Sequence, residues 1–154
     1  MDNLLTAKLH FFLSVAKQIE PFLVMYQTDK LMVPFLSMDL FKLVKSLMER
    51  FVKSALLKDV TSAAKLTGID ISKADCFVDY SKVDIGVHNR ECCESCEEKV
   101  SDKQLLDFHL SCRNFLKAVV AKLLNKTAVQ YPLANNLAFL DLDLYPTQTR
   151  TRHF

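Results

Sequence analysis

The chain has 154 residues, enough for one domain with a sizeable core, and half of them are hydrophobic against a quarter charged. Two glycines and four prolines are too few for a many-turned β fold and suit long helices. A formal charge of +2 is too small to imply nucleic acid or an anionic membrane surface as a partner by itself.

Asn3 to Tyr26 opens as an amphipathic helix with Asp2 or Asn3 as its cap. Leu5, Leu9, Phe12, Leu13, Ala16, Ile19 and Leu23 recur at helical spacing and are read as its buried face. Pro21 either kinks this helix or ends it near Ile19, because proline lacks the N–H and its ring meets the preceding turn. Asp2 and the interruptions at Lys8 and His10 argue against an export signal. No stretch approaches ~20 uninterrupted apolar residues, so no spanning helix is expected. The five cysteines are therefore read as reduced thiols of an intracellular protein, nuclear or cytoplasmic.

After a polar connection over 27–31, Pro34 suits the first turn of a second helix. Leu36, Leu40, Leu43, Val44, Leu47, Met48, Phe51 and Val52 form its apolar stripe, and it is expected to end around Leu57. A short helix from Thr61 to Leu66 follows, with Gly68 placed to stop it. Ile69, Ile71, Val83 and Ile85 alternate with polar residues, which predicts a small extended patch, or a packed loop, over 69–86. Residues 87–100 are rich in Cys and Glu, lack an apolar period and read as a flexible loop.

Ser101 to Asn125 carries the most consistent helical pattern. Ser101 and Gln104 have the capping-box spacing, and Asp102 places a negative charge where the helix dipole favours one. Leu105, Phe108, Cys112, Phe115, Leu116, Val119, Val120, Leu123 and Leu124 share one face, so this helix is expected at the centre of the core. Tyr131-Pro132 starts a short last helix through Leu137, Phe139 and Leu140, and residues 145–154 read as a disordered tail. Residues 1–144 thus form one helical domain, a mainly α, irregular bundle of three longer helices and some short ones.

Cys93-x2-Cys96 followed by His109-x2-Cys112 has ligand spacing suited to a tetrahedral zinc site, since a pair at i,i+3 on a helix shares one side. His109 and Cys112 also project into the apolar stripe, where packed His and structural Cys are common. The reading adopted is therefore no metal and no cofactor, with a zinc-stabilised binding module through these four residues as the alternative. Asp70, Asp75, Asp79, Asp84, Asp141 and Asp143 are read as turn and solvent residues rather than a metal cluster. No nucleophile elbow supports a hydrolase, and the chain lacks the glycines of a phosphate loop. Lys42, Lys45, Arg50 and Lys53 make a basic edge on the second helix, the candidate for a weak DNA contact, although Asp39 and Glu49 relieve its charge.

Several segments in order carry a resemblance: Gln27-Thr-Asp-Lys-Leu-Met-Val-Pro-Phe-Leu36, Leu47-Met-Glu-Arg-Phe-Val-Lys53, Lys82-Val-Asp-Ile-Gly86, Phe115-Leu-Lys-Ala-Val-Val-Ala-Lys-Leu-Leu124, Tyr131-Pro-Leu and Leu137-Ala-Phe-Leu-Asp141. Together, over residues 5–141, they resemble a region of hAT-type transposase-derived proteins. The resemblance implies part of the all-helical insertion that interrupts a ribonuclease-H-like core, without the three carboxylates that cut and join DNA there. The family pattern Leu-Asp-Pro-Arg is departed from here, since Leu140-Asp141 continues as Leu142-Asp143, which implies a truncated or frame-altered fragment. The function expected is a non-catalytic helical scaffold or interaction region of a domesticated or decayed element. Its partner is then another protein or the rest of a transposase-like protein, with no membrane and no enzymatic activity.

Overall fold

The computed structural model describes residues 4–27, 33–86 and 100–126. They form a mainly α fold of three longer helices and two short ones: α1 (Leu5–Tyr26), α2 (Val33–Glu49), α3 (Ser54–Leu57), α4 (Ala63–Thr67) and α5 (Asp102–Lys126). Two 3-10 turns, Ala74–Cys76 and Tyr80–Lys82, lie between α4 and α5. The expected flexible loop up to Lys99, the last helix from Tyr131 and the tail from Tyr145 fall outside the described residues.

α5 forms as its sequence dictates. The Ser101 N–H donates to Gln104 Oε1 at 3.1 Å and the Gln104 N–H donates to Ser101 Oγ at 3.4 Å, so the capping box is closed in both directions. Phe108, Cys112, Leu116, Val120 and Leu124 are buried at successive i,i+4 positions, with Leu105, Phe115, Val119 and Leu123 packed partly buried beside them. The anticipated face is therefore the face that enters the core, although Phe115 stands at its margin and Leu116 at its centre.

α2 buries Leu40, Leu43, Val44, Leu47 and Met48 as its stripe requires, but the helix stops at Glu49 rather than near Leu57. The backbone beyond it is claimed by another segment. Val78 N–H donates to the Phe51 carbonyl, Lys53 N–H to the Cys76 carbonyl and Asp84 N–H to the Arg50 carbonyl. This produces a single antiparallel bridge, Val52 with Phe77, after which α3 begins a fresh turn. Beyond that bridge, the expected extended patch over 69–86 is turns and packed loop. Val83 and Ile85 are buried, and Ile69 and Ile71 pack partly buried, so the alternation marks which side chains point inward.

That irregular segment is fastened to α5 through Phe77. The Arg113 guanidinium lies 5.1 Å and the Lys117 ammonium 5.5 Å from its ring centroid, with Phe51 at 5.8 Å. Ser62 caps α4 through its hydroxyl, and Gly68 stands at the C-cap, though in ordinary right-handed backbone. Gly86 is the residue that needs glycine. Its φ is +94°, and an added Cβ would lie 3.1 Å from the Ser14 Cβ of α1.

α1 departs most from the sequence reading. It continues through Pro21 to Tyr26. Its buried residues are Ala7, Phe11 and Val15, with Leu4 buried at its N-cap, whereas Leu5, Leu9, Phe12, Leu13 and Leu23, read as the core face, are each about half exposed or more, from 49% to 59%. The buried face is turned roughly a third of a revolution from the one anticipated, at 100° per residue.

Candidate functional site

The basic edge read from α2 is divided by the fold. Arg50 does not belong to it: the residue is 7% exposed and its guanidinium points inward. Its Nε donates to the Asp84 carbonyl at 3.0 Å, one terminal nitrogen to Gln18 Oε1 at 3.2 Å and the other to Ser14 Oγ at 2.9 Å. The Phe11 ring lies 5.5 Å from the guanidinium carbon. Burial pushes the Arg50 pKa down, and the Asp84 charge opposes this. Arg50 is thus a structural cation that ties α1 to the end of α2 and to the Asp84–Gly86 turn. Lys42 pairs with Asp39 at 3.8 Å, and Asp39 also accepts from the Tyr26 hydroxyl at 3.1 Å. Lys45 donates to the Val60 carbonyl at 2.9 Å, and Lys53 is exposed. Four cations in sequence are one buried hub, two tethered lysines and one solvated lysine, which is a poor phosphate track.

Of the zinc-spaced set, His109 and Cys112 are described, whereas Cys93 and Cys96 lie outside the described residues. Cys112 is a buried member of the α5 stripe. His109 is half-buried with its ring 5.9 Å from Phe108, and its Nδ1 is buried without a hydrogen-bond partner. Burial pushes its pKa below the ordinary 6.5, and the nearby Tyr80 backbone opposes the shift. Both residues are used in packing α5 against its neighbours.

Asp70 and Asp84 serve their own turns. Asp70 Oδ1 accepts from the Ser72 N–H at 3.0 Å and from its hydroxyl, which hold the carboxyl below its usual range. Asp84 Oδ1 accepts from the Gly86 N–H at 2.9 Å. Asp141 and Asp143 lie outside the described residues. Among the described residues no three His, Cys, Asp or Glu side chains gather where they could hold a metal ion. No helix among them is long and apolar enough to cross a membrane.

What the sequence reading missed is a surface. Leu5, Leu9, Phe12, Leu13 and Ala16 form a contiguous exposed strip on α1, opposite in sense to the buried Leu4, Ala7, Phe11 and Val15. It adjoins α5, because the Phe12 ring meets the Phe115 ring edge-on with centroids 5.0 Å apart. A signal for it was present. Leu4, Ala7, Phe11 and Val15 also recur at helical spacing, so the helix has two apolar faces of which either could be the buried one. No family model, curated protein or solved structure matches the chain.

Proposed function

We propose that the chain is a non-catalytic helical scaffold and interaction region of a hAT-type transposable-element protein, docking a protein partner or the rest of such a protein through the outer face of α1. The observation that carries the docking role is the exposed strip itself. Leu9 is 59% and Phe12 50% exposed on a helix whose other side buries Ala7, Phe11 and Val15 in the core. Isolated apolar side chains on a surface need no explanation, but a contiguous run along one helix marks an interaction site. The transposable-element origin rests on the resemblance of the sequence segments, taken in succession, over 5–141. Two-metal DNA cleavage needs carboxylates that hold ions ~3.5–4 Å apart, and the aspartates described above are committed to local turns.

The test mixes the purified chain with the ribonuclease-H-like core of a hAT-type transposase lacking its helical insertion, followed by sedimentation. A defined complex is expected, weakened about tenfold or more, ~1.4 kcal/mol, by Leu9→Lys with Phe12→Lys. No association, or one untouched by that pair, removes the reading. The chain alone is expected to leave supercoiled plasmid intact with magnesium or manganese. Nicking that survives further purification and disappears in Asp84→Asn would make it an enzyme.

A further inference from the structure

We propose that the C-terminal half of the outer face of α1 is the contact through which two copies of this chain pair, antiparallel, about the point between Gln18 and Ile19. The inference rests on reading that face as an interaction surface, and it names a second copy as the occupant of the half beyond Leu9 and Phe12.

Beyond Phe12 the exposed strip changes character. Leu13, Leu23 and Val24 are 49%, 51% and 61% exposed, and Ala16, Lys17 and Glu20 between them are exposed as well. At 100° per residue Glu20 falls between Leu13 and Ala16, inside the apolar arc, and Lys17 stands at its margin next to Val24. Among the described residues neither Lys17 nor Glu20 forms an ion pair or a hydrogen bond. A purely apolar partner would therefore strip water from an unpaired carboxylate, which is strongly unfavourable. The occupant has to bring a cation to Glu20 and an anion to Lys17, each set among apolar side chains.

A second copy meets that requirement when it runs antiparallel. Lys17 and Glu20 lie equally far along the helix, about 2 Å, from the point between Gln18 and Ile19, and Leu13 and Val24 each lie about 8 Å from it. A two-fold axis through that point sets Lys17 of one copy level with Glu20 of the other, twice, and Leu13 level with Val24, twice. A parallel pair would put Lys17 against Lys17 and Glu20 against Glu20, so the charges select the antiparallel arrangement. Ala16, one turn before Glu20, is small enough to let the two helices approach closely.

The test is sedimentation equilibrium of the full chain. The parent is expected to be a dimer, and Lys17→Glu and Glu20→Lys are each expected to weaken the pairing about tenfold or more. Mixed one to one, the two variants are expected to dimerise again, because two glutamates on one chain then face two lysines on the other. Leu13→Ser with Val24→Ser is expected to abolish the dimer. A parent that stays monomeric up to about 0.1 mM overturns the proposal. So does a dimer that both charge variants retain, which places the contact elsewhere on the chain, and so does a mixture that stays monomeric. Where a single charge variant loses the parent's helical circular dichroism, Lys17→Glu with Glu20→Lys decides. That chain is expected to dimerise with itself but not with labelled parent, and free exchange between the two overturns the proposal. Because this experiment contains no transposase core, it can fail while the docking of such a core on Leu9 and Phe12 stands, and the reverse.

Discussion

α1 and α5 are both long, apolar helices that meet through Phe11, Phe12 and Phe115, yet only one of them buries the face its sequence advertises. In α5 the residues opposite the stripe are polar or charged, so Asp107, Ser111 and Asn114 must face water, and one orientation remains. In α1 the positions around the helix are apolar on two sides, and either side can be buried without exposing a new kind of surface. The choice then falls to whatever else must be satisfied. Here it is polar: rotating α1 to bury Leu9 and Phe12 would carry Ser14 and Gln18 away from the buried Arg50. An unpartnered buried guanidinium is far more unfavourable than a few half-exposed leucines.

The sharpest way to break this comparison is to truncate adjacent phenylalanines on α1. Phe11→Ala is expected to cost ~3–5 kcal/mol in urea denaturation, the range for a buried Phe. Phe12→Ala is expected to cost ~1 kcal/mol, mainly its aromatic contact with Phe115. The opposite ranking would place the outer face in the core. On α5, Leu116→Ala at ~2–5 kcal/mol should exceed the loss from truncating Phe115 on a per-carbon basis, since Leu116 is fully enclosed and Phe115 only partly so.

Removing the cation that orients α1 comes next. Arg50→Ala leaves Gln18, Ser14 and the Asp84 carbonyl without their shared donor, and a loss of ~3 kcal/mol or more is expected by the same denaturation. Its side chain is enclosed, so if the chain binds DNA weakly, Lys53→Ala should reduce the affinity measured by anisotropy. Arg50→Gln, at a temperature where it stays folded, should not.

Gly86→Ala is expected to cost ~1–3 kcal/mol, because the backbone there is left-handed and the new Cβ would press on Ser14. Thermal melts of Gly86→Ala alone and with Ser14→Gly separate the two terms: relief by Ser14→Gly reports the clash, and what persists reports the backbone.

The smallest effect belongs to His109 on α5. Its pKa is lowered in the folded state by burial, so the unfolded chain binds its proton more readily. Its contribution is fully present above the ordinary value of 6.5 and is lost as pH falls below that toward the folded value. Stability measured from pH 7.5 to 5 is expected to fall less steeply in His109→Gln than in the parent. An identical slope would mean the imidazole reaches water as freely folded as unfolded.

The sequence by itself determined the class of fold, the limits of α5, its capping box and its core face, because these are local. A Ser and a Gln three residues apart meet only if the helix starts there, and a one-sided apolar stripe has one way to be buried. The stripe of α2 was equally legible, but its end was not. Glu49 is where the backbone of Cys76–Val78 and Asp84, distant in sequence, takes over the hydrogen bonds that a longer helix would have used. Arg50 looked like surface charge because its partners Ser14, Gln18 and Asp84 come from two other segments, and no spacing in the chain announces them. The rotation of α1, and with it the exposed strip, was decided by tertiary structure alone. Two apolar faces are nearly degenerate in burial energy, and a polar contact with a remote residue breaks the tie.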